Sequence, residues 1–169
     1  EFRRVLFRSN NIHVILKSFL QIRERLVIVG NWQSSQYGKE LHEKYSGEDC
    51  IDLVDPIYDV GRLGELRSSC KLYVHGHSAG GTNPSLVEIM HFGKNVVCFD
   101  CVYNRATTQD QAVYFGNSAE LSEIVKNKQY KSNGPKMLRI AKAEYVWEKI
   151  RNRYLSLFKS TTLKGCDFE

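Results

Sequence analysis

Short apolar runs recur along the chain at residues 25–30 (RLVIVG), 50–54 (CIDLV), 71–74 (KLYV) and 95–99 (NVVCF), with amphipathic stretches between them. Runs this short and this aliphatic read as strands buried on both faces, while the intervening segments carry a helical period. Alternation of strand and helix patterns is the mark of βαβ units. The expected fold class is therefore α/β, a parallel sheet flanked by helices.

The helical segments can be placed more closely. Residues 11–22 put Ile12, Ile15, Leu16 and Phe19 on one face, and residues 34–45 read as an exposed helix capped by Ser34 or Ser35. Asp55-Pro56 breaks the chain, and residues 59–70 form a helix with Val60, Leu63 and Leu66 inward. Residues 84–91 follow, with Asn83 as N-cap and Pro84 at the first helical position. Beyond Cys101 the pattern loosens into a polar loop, VYNRATTQDQ, then an apolar stretch at 112–115 and a helix at 118–126. A long closing helix is expected over 135–158, with Met137, Ile140, Tyr145, Trp147, Ile150, Tyr154 and Leu157 packing on at least one face.

With 169 residues and 42% hydrophobic residues, the chain has the material for one well-packed domain. Every apolar cluster is interrupted by charge before it reaches the roughly 18 residues a membrane-spanning helix needs. The net charge of +5 is spread along the chain, which reads as a solvated surface and not as a nucleic-acid footprint. Cys50, Cys70, Cys98, Cys101 and Cys166 are odd in number and irregular in spacing, which favours a reducing, cytoplasmic setting. Cys98-Phe-Asp-Cys101 has no second pair to complete a zinc site, and no helix is expected after it to activate a thiol. Residues 1–9 (EFRRVLFRS), with three arginines among mixed apolar residues, read as a non-native leader and are left out of the functional argument. The domain is expected over 10–159, with 160–169 as a tail.

The segment after the third apolar run, HGHSAGGTNPSLVE, concentrates the chemistry. In open parallel sheets ligands bind beyond the carboxyl ends of the strands, where turns lead into helices. Gly76, Gly80 and Gly81 let the backbone come close to a ligand, and the helix start at Pro84 offers N–H groups and a dipole that favour phosphate. Glu88, four residues past Pro84, is expected to point back to the same mouth, where a carboxylate suits sugar hydroxyls.

Rival motifs overlap this turn. Gly76-His-Ser-Ala-Gly80 has the form of a nucleophile elbow, which would make Ser78 the nucleophile of an α/β-hydrolase. That reading needs a histidine well downstream, and His91 is the only one after Ser78. The spacing from Gly76 to Gly81 resembles a P-loop, but Thr82 and Asn83 stand where Lys and Ser or Thr are required. His75 and His77 have the spacing of a metal pair on a strand, without a third ligand, so no metal is expected.

The order of strand, HGHSAGGTNPSLVEIMHFGKNVVCFD, polar loop and closing helix resembles the donor-binding, C-terminal half of GT-B retaining glycosyltransferases of family four, and among them the bacterial rhamnosyltransferase-like members. The resemblance covers residues 10–158, with 74–100 carrying most of its specificity, and P-S-L-V-E-I-M-x-x-G-K-x-V at 84–96 corresponds to the family signature P-x-x-E-A-M-A-x-G-x-P-V. It implies a Rossmann-like fold and a donor site at His77, Ser78, Gly80, Gly81, Thr82, Asn83 and Glu88, with Tyr58 against the nucleobase. Of the family's two donor glutamates, the ribose one falls on Glu88, and the one beside the transferred sugar falls on Gly80. Arg105 in the following loop is a candidate phosphate contact.

What the resemblance implies for function is transfer of a sugar, rhamnose among the candidates, from a nucleoside-diphosphate sugar to a glycan or lipid-linked acceptor. No cofactor is expected. The acceptor half and its catalytic residues would lie in a separate N-terminal domain, so this chain is expected to be inactive alone, in the cytoplasm or peripherally at the inner membrane face. A non-catalytic nucleotide-binding or regulatory module remains the alternative, with the Ser78 hydrolase as the remote one.

Overall fold

The computed structural model describes residues 6–162. Within them, parallel strands β1 (Leu26–Val29), β2 (Ile51–Val54), β3 (Leu72–His75), β4 (Asn95–Phe99) and β5 (Val113–Phe115) alternate with helices. The helices are α1 (Ile12–Ile22), α2 (Gln36–Tyr45), α3 (Val60–Ser69), α4 (Pro84–His91), α5 (Val102–Thr108), α6 (Ser118–Lys126), α7 (Gly134–Glu144) and α8 (Trp147–Thr162).

The strands fall into two parallel sheets. β1 pairs with β2, Leu26 opposite Ile51, and β3, β4 and β5 pair in that order, with Leu72 opposite Asn95 and Val97 opposite Val113. The chain ahead of α1 crosses the carboxyl ends of the two unpaired edges. Leu6 packs where a side chain on Gly30 would be, and Ser9 is bonded to Ser78 just beyond β3. A single core nevertheless joins the sheets: Ile15, Leu16 and Phe19 of α1 and Leu121, Ile124 and Val125 of α6 cluster with Leu26, Ile51, Val97 and Phe115.

Strand alternation along β4 sorts the two faces. Val97 enters that core, while Val96 and Cys98 enter a second one with Leu86, Ile89 and Met90 of α4 and Met137, Ile140 and Ala141 of α7. Each of the three α4 side chains is fully buried, and burial of such residues contributes roughly 1.5–3 kcal/mol apiece. That fixes the helix which follows the glycine-rich turn. Two further contacts secure its far end. A Cβ on Gly134 would lie 2.2 Å from the Gly93 carbonyl, so the backbones of the turn after α4 and the start of α7 are in direct contact. The Asn133 side chain accepts from Val96 N at 2.9 Å and donates to Val96 O at 2.8 Å, acting as one more rung beside β4.

Several expectations need correction. Of the two proposed caps for α2, Ser35 is the one used, its hydroxyl accepting from Gly38 N, and the helix is not exposed all round because Leu41 and Tyr45 are buried. Val60 is not inward but 83% exposed, and α3 buries none of its residues fully. The polar loop after Cys101 is helix α5. Its inner positions, Asn104, Thr107 and Thr108, are buried but polar, so hydrophobic periodicity misses them. The two threonine hydroxyls are satisfied within the helix, Thr107 by Tyr103 O and Thr108 by Asn104 O. The single closing helix is broken at Tyr145 (φ −115°, ψ 41°), whose phenol turns in to donate to Thr107 O at 3.1 Å. Past the break the helical face is not packed on this domain: Trp147 is 84% exposed and Tyr154 62%.

Candidate functional site

The turn at residues 76–83 leaves the carboxyl end of β3 and enters α4, and three consecutive residues before α1 lace it in place. Asn11 Nδ2 donates to Gly76 O at 2.8 Å, Asn10 Nδ2 meets His77 Nδ1 at 3.4 Å, and Ser9 O accepts from Ser78 N at 2.8 Å. Gly76 is required here, because a Cβ would fall 2.2 Å from Asn10 O and 2.9 Å from Ile15 Cδ1. From the other side, buried Asn104 of α5 donates to His77 O and Phe99 O, both at 2.8 Å. The first half of the turn is therefore held rigidly. Its second half is open: Gly80 (φ +87°), Gly81 and Thr82 are exposed, and among the described residues their amides have no protein partner.

The start of α4 is less available to an anion than its sequence suggests. Pro84 carries no N–H, and Ser85 N is already bonded to the Asn83 side chain at 3.0 Å. The donors left for a phosphate are thus the loop amides at Gly80 to Asn83, with the helix dipole behind them. A ligand here would meet backbone before side chains.

Ser78 is not arranged as a nucleophile. Its hydroxyl donates to the Ser9 carbonyl at 3.1 Å, which is no base, and the hydrolase reading loses its central residue. The His75 and His77 rings lie 6.2 Å apart, tilted at 51° to each other, with Tyr73 stacked on the His75 ring. Among the described residues no group of three or more His, Cys, Asp or Glu is placed to hold a metal ion. Contrary to the expectation of no following helix, Cys101 stands at the N-cap position of α5, without a side-chain capping bond, while burial pushes the Cys98 thiol up.

Glu88 lies half-exposed on α4, and its Oε2 accepts from Arg67 of α3. Tyr58 stands 65% exposed between β2 and α3, and makes no ring contact or hydrogen bond with the turn among the described residues. Arg105 is withdrawn from the role of phosphate contact. It forks onto Asp100 at 2.6 and 2.9 Å, reaches Asp110 at 3.0 Å and lies over the Tyr114 ring at 4.2 Å. The guanidinium bonded to Asp100 holds that carboxyl below its ordinary range, and a phosphate would have to displace two carboxylates to use Arg105.

Site residues that the sequence reading missed are Ser9, Arg67 and the structural part played by Asn104. Ser9 was set aside with the leader. Asn104 was placed in a loop, although its spacing with Thr107 and Thr108 is that of one helical face.

The sequence pattern of the family described as Glycosyl transferases group 1 matches residues 2–142. The chain belongs to that family. Among solved structures, Anabaena Alr3699/HepE in complex with UDP-glucose aligns with a TM-score of 0.76 at 19% identity, over 92% of this chain and 46% of that one. A glycosyltransferase from Rickettsia africae ESF-5 aligns at 0.78 and 11% identity, over 96% and 47%. The C-terminal domain of the glycosyl transferase group 1 family protein LpcC from Francisella tularensis aligns at 0.65 and 8% identity, over 84% and 83%. Identities this low show a shared fold. No curated protein matches the sequence. The chain thus spans about half the length of HepE and of the Rickettsia enzyme, and nearly the whole length of a C-terminal domain from the glycosyl transferases group 1. Within the matched residues, α4 carries Pro84 at its start and Glu88 four residues on, directly after the open half of the turn.

Proposed function

We propose that this chain is the donor-binding half of a retaining glycosyltransferase, taking a nucleoside-diphosphate sugar at the turn of residues 76–83. The observation that carries the proposal is the exposed run of amides at Gly80, Gly81 and Thr82, which have no protein partner among the described residues, ahead of an α4 helix that bears Glu88 and lies within the family match. Backbone N–H groups aimed at the diphosphate would stabilise the charge that grows on the leaving group as the glycosidic bond breaks. Glu88 would accept from ribose hydroxyls. Tyr58 would stack on the base, and His77 and Asn83 would border the sugar where the family's other glutamate is replaced by Gly80. HepE was solved with UDP-glucose, which supports a hexose donor and recommends UDP as the first probe. Rhamnose, carried on dTDP or UDP, is the transferred sugar we put forward, with a glycan or lipid-linked acceptor in a bacterial polysaccharide pathway. No metal or cofactor enters this scheme.

Because the chain spans half of such enzymes, we expect it to bind the donor without transferring the sugar. With a lipid-linked acceptor the work would be done at the cytoplasmic face of the inner membrane. Calorimetric titration of the chain with UDP, dTDP and GDP tests the core of the proposal. Binding of one of them, weakened by Glu88→Ala, is the expected result, and absence of binding by all three overturns it. Ser78 should resist labelling by a fluorophosphonate.

A further inference from the structure

Glu88 is joined across two helices to a residue that no feature of the turn predicts. Arg67 sits in the last turn of α3, and its guanidinium Nη2 donates to Glu88 Oε2. The two side chains are unequally exposed, 21% for Arg67 against 48% for Glu88. The arginine is the embedded partner and the carboxylate the presented one. A glutamate on a helix surface otherwise samples many rotamers, and a ligand that binds it must bear the loss of that freedom. One oxygen tied to a planar guanidinium leaves the other, Oε1, as a fixed acceptor.

We propose that Arg67 is a positioning residue of the donor site, which orients the Glu88 carboxylate so that Oε1 accepts from the ribose hydroxyls. The proposal rests on the donor-site reading of Glu88 and adds to it a second residue, from a different helix. A purely architectural role is the competing explanation. α3 buries none of its residues fully, and the Arg67 to Glu88 pair, with Lys94 donating to Ser68 O, ties α3 to α4 and its following turn. The two roles differ in what they do to ribose recognition.

The experiment measures affinities of the intact chain for UDP and for 2′,3′-dideoxy-UDP, which has neither ribose hydroxyl, in the unaltered protein and in Glu88→Gln, Arg67→Met and Arg67→Lys. Loss of well-placed hydrogen bonds to a charged group predicts that unaltered protein prefers UDP by about tenfold or more. Arg67→Met should lose that preference by weakening UDP alone, and Arg67→Lys should restore part of it with a single charged contact. Thermal unfolding of each variant reports its fold. If Arg67→Met weakens both ligands equally, or keeps the preference for UDP, or binds UDP more tightly, the positioning role is overturned. Should Glu88→Gln keep the full preference, the ribose role of Glu88 itself fails. Those outcomes separate the failure of this inference from the failure of the donor-site reading.

Discussion

The chain leaves β3 by a long turn, residues 76–83, and β4 by a short one, residues 100–101, and each delivers a helix. Their backbones are used in opposite ways. In the short turn Asp100 N bonds to Phe115 O, and the Asp100 carboxylate closes on Arg105, so its polar groups are consumed inside the protein. Among the described residues the long turn is laced as far as Ser78, and from Gly80 to Thr82 it is exposed with its amides unbonded to protein. Among neighbouring turns at the same end of a sheet, the one that can take an anion is the one whose backbone is left unsatisfied next to a rigid frame.

The contrast can be broken most severely at Gly76. A Cβ there collides with Asn10 O, and overpacking against backbone predicts a loss of about 3 kcal/mol for Gly76→Ala, read as the denaturant midpoint at unchanged m-value. Next comes Glu88→Ala, where removal of a charged acceptor should weaken UDP by roughly 10- to 100-fold in calorimetry. Asn83→Ala removes the α4 cap and should cost about 1 kcal/mol in stability while freeing Ser85 N, so its effect on UDP should be smaller than that of Glu88→Ala. The smallest effect on binding is expected at Arg105. Arg105→Ala should leave UDP affinity within about twofold, since exposed ion pairs distant from a ligand contribute little.

Arg105 also predicts a pH dependence. The Asp100 carboxyl is held below its ordinary range in the folded protein, so the pairing stabilises the fold above that range and its contribution is lost as pH falls through the depressed folded value. Melting temperatures followed into acid should therefore fall less steeply in Arg105→Ala than in the unaltered protein.

Legibility in the sequence followed the physics of each element. α4, β4 and α6 match their expected bounds to the residue, because Asn83-Pro84 and the N-cap Asn117 are strong local start signals and NVVCF is apolar after its first residue. α5 is illegible as a helix from hydrophobic period, since its buried face is built from polar Asn104, Thr107 and Thr108, the threonine hydroxyls bonding back within the helix and the Asn104 amide reaching His77 O and Phe99 O. The break at Tyr145 is hidden because apolar spacing continues through it, while its phenol bonds to Thr107 O in a different helix. At the site, glycine, proline and glutamate positions could be read from the turn itself. The partners that shape them could not. Ser9 to Asn11 meet Gly76 to Ser78 across more than sixty residues of chain, Arg67 meets Glu88 from another helix, and Arg105 spends its charge on two aspartates.

The abutment of Gly93 and Gly134 sets a boundary on how this domain can respond to a ligand. With backbone resting on backbone at its carboxyl end, α4 has no slack along its axis, and its three buried side chains deny it rotation. On the proposed donor reading, accommodation of different sugars would fall to the exposed lip at Gly80 to Thr82, with the fixed helix behind it as an anvil. If the turn holds a diphosphate as proposed, specificity would be open to change through substitutions in a few exposed loop residues that leave this frame undisturbed.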